Sequence, residues 1–308
     1  MILTVILLLI GFVLLVKGSD VFVDGSSSVA RLLGVPSVIV GLTIVSMGTS
    51  APEAAVSITA GFSGSNEIAI SNLVGSNSFN MLVVAGLSAA IAPFAVDKVV
   101  LKRDFPVCLG IMLVSAIMCI DGTVSRLDGI IMLVIFTGYM SLLVYSAAKK
   151  REAAENDEES ISLIKSILFI IVGLAAVIAG GQLVVNSARK IALMLGMSET
   201  LVGLTIVAIG TSLPELVTSV IAARKGESGI AIGNVVGSSI FNLAFVMGLS
   251  SAANPIGVVP EALIDTFIML GVNALGFVFC LTGKKFGRRE GILLFCIYLV
   301  YTGYLILR

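Results

Sequence analysis

Residues 40–58, VGLTIVSMGTSAPEAAVSI, return 162 positions later as VGLTIVAIGTSLPELVTSV (202–220), with 12 of 19 residues identical. NLVGSNSFNMLVVAGLSA (72–89) and NVVGSSIFNLAFVMGLSS (234–251) share 10 of 18, and SRLDGIIMLVIF (125–136) matches GRREGILLFCIY (287–298). A single offset serves all three pairs. Chance likeness between apolar runs would not hold one register over so much chain, so the sequence holds two copies of one unit. Any fold of this chain must accommodate that unit twice.

The unit is made for a bilayer. Of 308 residues, 57% are hydrophobic and 12% charged, against roughly 25% charged in soluble domains. Ten apolar runs, about 3–24, 38–61, 68–91, 104–121, 128–148, 162–185, 199–223, 229–252, 262–282 and 290–307, are each read as a helix crossing a ~30 Å hydrocarbon layer. The runs are continuous rather than alternating, which excludes a transmembrane β-barrel. The first run lacks a basic start and a small-residue cleavage site, so it reads as a span and not as a signal peptide. Cys108, Cys119, Cys280 and Cys296 lie in apolar runs without metal-ligand spacing and read as soft packing. The absence of His removes histidine catalysis and ligation.

The one polar stretch, KKREAAENDEES, divides the chain into a first repeat at 1–148 (motif 40–89), a linker at 149–161, and a second repeat at 162–308 (motif 202–251). Five spans per copy is an odd number, so the copies sit upside down relative to each other. The expected fold is an all-α polytopic membrane protein of ten helices in two inverted-topology five-helix repeats, an arrangement that secondary transporters use to build midplane sites from interrupted helices. With the N-terminus outside, the cytoplasmic loops hold fourteen Lys and Arg, against four outside: Arg126, Arg189, Lys190 and Arg308. Lys17, within the first span, is uncounted. Both termini are therefore expected outside the cell, with the linker, whose acids lack an EF-hand pattern, in the cytoplasm.

At mid-depth the motifs place GTSAPE (48–53) and GTSLPE (210–215). Pro52 and Pro214 donate no backbone hydrogen bond, and Gly48 and Gly210 loosen the chain just upstream. The helices are expected to break there, freeing the carbonyls of Ser46 and Met47, and of Ala208 and Ile209. Ser50-x-x-Glu53 also reads as a capping box that restarts the helix. Capping alone does not account for a carboxylate recurring at Glu215. A charged Asp at mid-membrane costs about 2.5–3.5 kcal/mol even on lenient scales. No Lys or Arg occurs in the four motif-bearing spans, so the counter-charge must be a proton or a bound cation, and a cation is favoured. Ser76 and Asn80, like Ser238 and Asn242, are i,i+4 and share a helix face. They could hydrogen-bond between helices or face an ion. An all-oxygen set suits Ca²⁺ or Na⁺ and does not suit zinc or copper.

The doubled pattern GTSAPE…VGSNSFN and GTSLPE…VGSSIFN resembles the two α-repeats of the sodium/calcium exchangers, within the Ca²⁺/cation antiporter superfamily. The resemblance covers essentially the whole chain and implies four adjoining sites for Na⁺ and Ca²⁺. Glu53 and Glu215 would be the central carboxylates, with Thr49, Thr211 and the carbonyls of Ser46 and Ala208 adding oxygens. Ser50, Ser212, Ser76 and Ser238 would help to bind Na⁺, and Asn80 and Asn242 would complete the central site. Relatives that include potassium-dependent exchangers carry Asp at the position of Asn242. The two amides here leave two formal charges, which points to simpler Na⁺/Ca²⁺ exchange. The short linker leaves no room for the regulatory domains of animal members, so the resemblance is to a prokaryotic-type member.

The expected partners are Na⁺, Ca²⁺ and the lipid bilayer, with no cofactor, no nucleic acid and a monomeric working unit. An H⁺/Ca²⁺ exchanger could use the same carboxylates. An intramembrane hydrolase built on Ser50 or Ser212 lacks a His or Lys base in the central spans, so the chain does not read as an enzyme. Four oxygen clusters offer more than two Na⁺ positions, so transport is expected to move net charge. Spans one and six, with Gly11, Gly18, Gly173, Gly180 and Gly181 but no paired motif, are expected to slide against the rest.

Overall fold

The computed structural model describes residues 1–149, 162–197, 208–283 and 285–307. The linker expected at 149–161 falls outside them beyond Lys149, as do Lys284, Arg308 and residues 198–207, where the second motif and the 199–223 span begin.

The chain runs through α1 (Ile2–Leu33), α2 (Ser37–Thr49), α3 (Ala51–Phe62), α4 (Glu67–Ile91), α5 (100–118), α6 (Arg126–Lys149), α7 (Leu163–Met194), α8 (Leu213–Arg224), α9 (Ser228–Ala253), α10 (Pro260–Gly283) and α11 (Arg288–Leu307). Among the described residues seven of these are long and apolar enough to cross a bilayer, and the pair α2–α3, bent by 54°, makes an eighth if taken as one span. Helices α5 and α8 stand where spans 104–121 and 199–223 are expected.

Helices α1 and α7 run further than the spans expected at 3–24 and 162–185, to 32 residues each. At 1.5 Å per residue that is about 48 Å, longer than the hydrocarbon layer is thick, so they must tilt or project from it. Helix α1 stops where Gly34 turns left-handed (φ 64°) and Val35 N–H closes on Ala30 O at 2.9 Å. The two helices touch backbone to backbone. A Cβ at Gly173 would come within 2.6 Å of Phe22 N, and one at Gly180 within 2.7 Å of Leu15 N.

Helices α4 and α9 form the interior. Their apolar windows are 78% and 94% buried, whereas the other candidate spans bury 33% or less and turn the rest outward. These two also carry Ser76, Asn80, Ser238 and Asn242, in keeping with polar groups being confined to the inside of a membrane bundle. Cys108, Cys119 and Cys280 pack in the core, but Cys296 is exposed on α11.

Two short ribbons tie the halves together. β1 (Phe94–Ala95) pairs with β4 (Lys285–Phe286), and β2 (Thr123–Val124) with β3 (Ile256–Gly257). Adding 162 turns β1 into β3 and β2 into β4, so each ribbon maps onto the other, register included. Arg288 Nε donates to Ala90 O beside the first ribbon, and Asn254 Nδ2 donates to Gly61 O beside the second. The connections near 92–99 and 285–287 thus share one end of the bundle, and those near 62–66, 119–125 and 254–259 share the other.

Candidate ion site

The two breaks fall at Ser50 (φ −81°, ψ 7°) and Ser212 (φ −92°, ψ 8°), each followed by a restarted helix with proline in its first turn. Neither serine caps that helix with its side chain, so the capping-box reading fails. Instead the hydroxyls cross between the copies. Ser50 Oγ donates to Glu215 Oε1 at 2.8 Å, and Ser212 Oγ donates to Glu53 Oε1 at 2.8 Å. Donation to a carboxylate, roughly twice as strong as a neutral hydrogen bond, turns each hydroxyl across the bundle, and so turned it accepts nothing from the backbone N–H one turn on.

The expectation of free carbonyls is corrected at Ser46 and Ile209. Ser50 N–H donates to Ser46 O at 3.0 Å, and Ser238 Oγ approaches the same oxygen at 3.4 Å. The break begins at Ser50 itself, and Gly48, four residues before Pro52, loses its helical donor because proline has no N–H. In the second copy Ser212 N–H reaches only three residues back, to Ile209 O at 3.2 Å. The two breaks therefore differ in detail. The backbone of Ala208 lies in a short helical turn, Ala208–Gly210.

Both glutamates are 1% exposed, and Ser46, Thr49, Ser50, Ser76, Asn80, Ser212, Ser238 and Asn242 are all buried; Thr211 is half-buried overall. Ser212 Oγ lies 3.4 Å from Ser76 Oγ, which brings α4 to the same point. Asn80 opens a π-helical stretch (Asn80–Ala85), and Asn242 sits in another (Phe241–Met247). Such widened turns frequently mark functional sites.

Nine buried side-chain atoms among the described residues have no hydrogen-bond partner, and five are oxygens of expected ligands: Glu53 Oε2, Glu215 Oε2, Asn80 Oδ1, Asn242 Oδ1 and Thr211 Oγ1. A buried polar atom without a partner needs an explanation. Here the unclaimed atoms are acceptors drawn from both copies, with no ion pair to either glutamate among the described residues. Two carboxylates, amide and hydroxyl oxygens and no nitrogen or sulfur donor make a set fit for a hard cation such as Na⁺ or Ca²⁺.

Sequence reasoning passed over four asparagines. Asn72 Nδ2 donates to Ser57 Oγ at 2.8 Å and Glu53 O at 3.3 Å, and Asn234 Nδ2 repeats this with Ser219 Oγ at 2.9 Å and Glu215 O at 3.3 Å. Their identity in both copies of the motif was the available signal. Asn77 Oδ1 faces Asn242 Nδ2 at 3.4 Å, and Asn273 Nδ2 approaches Asn77 O at 3.5 Å. Neither is matched in the other copy, where Ser239 and Ile111 stand, so the repeat offered no cue to them.

The model of the sodium/calcium exchanger protein family matches residues 3–145 and again 165–307. The chain is 36% identical over 306 residues to the inner membrane protein YrbG of Escherichia coli, covering 96% of this chain and 94% of that one. It is 33% identical over 341 residues to the sodium/calcium exchanger MaX1 of Methanosarcina acetivorans, covering 96% of each. A solved structure of the sodium-calcium exchanger NCX_Mj, soaked with Na⁺ and Sr²⁺, superposes with a TM-score of 0.88 at 34% identity, covering 98% of both chains.

Proposed function

The chain belongs to the sodium/calcium exchanger protein family, and from that membership and its oxygen-lined centre we propose that it is a secondary antiporter exchanging Na⁺ for Ca²⁺ across the cell membrane. The observation that carries the reading is the pair of buried carboxylates, Glu53 and Glu215, each with one oxygen bound by a serine of the other copy and the other oxygen unclaimed.

In this reading ten spans form two inverted five-helix repeats, with domains 1–148 and 162–308 and the linker in the cytoplasm. The exchanged contacts and ribbons support it. Glu53 and Glu215 neutralise one Ca²⁺ or two Na⁺. Thr49, Thr211, Asn80, Asn242, the carbonyl of Ala208 and the lone pair that Ser50 N–H leaves open on the carbonyl of Ser46 complete the coordination of Ca²⁺, and Ser50, Ser212, Ser76 and Ser238 serve Na⁺. The tightly packed α1–α7 pair slides against the core only when the central charges are neutralised, because moving a bare carboxylate past apolar side chains is costly. That condition couples the two fluxes and prevents leak. One chain contains the complete site, so one copy suffices, and more than two Na⁺ positions make exchange electrogenic.

The test is ⁴⁵Ca²⁺ uptake into proteoliposomes driven by an outward Na⁺ gradient, with and without a pH gradient and an imposed voltage. Uptake that follows Na⁺ and responds to voltage is the expected result. Uptake that follows pH alone would make the protein an H⁺/Ca²⁺ exchanger, with protons on the unclaimed carboxylate oxygens.

A further inference from the structure

A hydroxyl can present its lone pairs to a cation only if its proton is accepted elsewhere. Around the two glutamates the structure names such acceptors. The Ser50 proton goes to Glu215, and the Ser212 proton to Glu53. Thr49 Oγ1 lies 2.9 Å from Asn234 Oδ1, closer than to Val45 O at 3.1 Å or Ser46 O at 3.4 Å. Ser238 Oγ approaches the same amide oxygen at 3.5 Å.

The orientation of the Asn234 amide is fixed by its other end. Nδ2 donates to Ser219 Oγ and to the backbone oxygen of Glu215. A flipped amide would set its oxygen against that carbonyl oxygen and turn its N–H toward Thr49, so the network assigns the flip. Asn234 is fully buried.

We propose that Asn234 is a positioning residue for the ion site: it accepts the Thr49 proton, so that Thr49 turns a lone pair toward the cation, while it holds the backbone of Glu215. One amide thus couples a ligand of the first copy to the carboxylate of the second. The inference deepens the exchanger reading and rests on it. The two copies are unequal here. Asn72, the counterpart, is half-buried, and Thr211 Oγ1 has no hydrogen-bond partner. Thr49 is oriented by an amide before any ion arrives, and Thr211 has no amide against it.

The experiment measures ⁴⁵Ca²⁺ binding to purified protein, together with the KM for Ca²⁺ and the maximal rate of exchange, for wild type, N234L, T49V and the double variant, and for N72L, T211V and their double. Loss of a residue that orients a metal ligand lowers affinity by about 10–100-fold. N234L should therefore weaken Ca²⁺ binding and raise KM by about tenfold or more, with a smaller change in maximal rate. In the T49V background it should add little, because its route to the ion is gone. N72L and T211V should instead combine additively. If N234L does not fold, S219A, which releases the amide's donor end, should raise KM in the wild type and not in T49V. Binding unchanged in N234L or S219A, or effects that multiply independently of Thr49, would overturn the inference. Wild type that binds Ca²⁺ without exchanging it for Na⁺ would sink the transport reading alone, and the binding cycle would still decide the role of Asn234.

Discussion

Three carboxylates are buried among the described residues, and they are solved in two different ways. Asp104, at the start of α5, receives Arg103 Nε at 2.7 Å and Nη2 at 3.2 Å, and Tyr139 donates its hydroxyl at 3.0 Å. Arg103 in turn is braced by Ser146 at 2.8 Å. Glu53 and Glu215, at the centre, receive one serine hydroxyl each on one oxygen and nothing on the other. A buried ion pair is neutral in itself and needs no ion from outside. A buried carboxylate without a cation must draw its charge balance from whatever enters. The two kinds of acid differ in their partners, since burial is the same.

The largest test of that contrast is neutralisation of the central pair. Glu53→Gln and Glu215→Gln should each abolish Na⁺-dependent Ca²⁺ uptake while the protein elutes as a folded species and melts near the wild-type temperature. Near-normal exchange in both variants would erase the distinction. Asp104→Asn should do the reverse. Breaking a buried pair costs about 3–5 kcal/mol, and because Arg103 keeps some access to water (its side chain is 22% exposed) the lower end, about 3 kcal/mol, is expected. It should appear as a lower melting temperature with Ca²⁺ affinity preserved, and loss of affinity at unchanged stability would place Asp104 among the working acids.

A smaller effect should follow from Asn242→Asp, which adds a third charge at the centre. The unpartnered Asn77 Nδ2 is available to donate to the new carboxylate. Ca²⁺ should bind about tenfold tighter, worth about 1.4 kcal/mol, as read by ⁴⁵Ca²⁺ titration; weaker binding would mean that the pocket is already saturated with charge. The smallest effect is expected at the surface. Lys225 bridges Asp20 at 2.7 Å and Asp24 at 2.6 Å, tying the end of α8 to α1, but both acids are about half exposed. Lys225→Met should lower stability by less than about 1 kcal/mol, and by less still in high salt. A loss as large as that of Asp104→Asn would show that exposure does not grade these pairs.

Much of this protein was written in local pattern. Run length and composition mark the membrane helices and Pro52 and Pro214 mark the breaks, because each depends only on neighbours along the chain, and the 162-residue offset marks the duplication by simple self-comparison. Glu53 and Glu215 were legible for the same reason, as charges stranded in apolar sequence. Partners were not. Ser50-x-x-Glu53 has the spacing of a cap, yet Ser50 serves Glu215, 165 residues away, and Ser212 serves Glu53 across 159. Tyr139 reaches Asp104 from 35 residues away, and Thr49 lies against Asn234 from 185 residues away. Sequence alone determined that two carboxylates would lie in the membrane without a cation nearby along the chain. Only tertiary structure decided which hydroxyls and amides turn toward them, because a hydrogen bond depends on distance and direction within a few tenths of an ångström, and those are set by how the two copies pack.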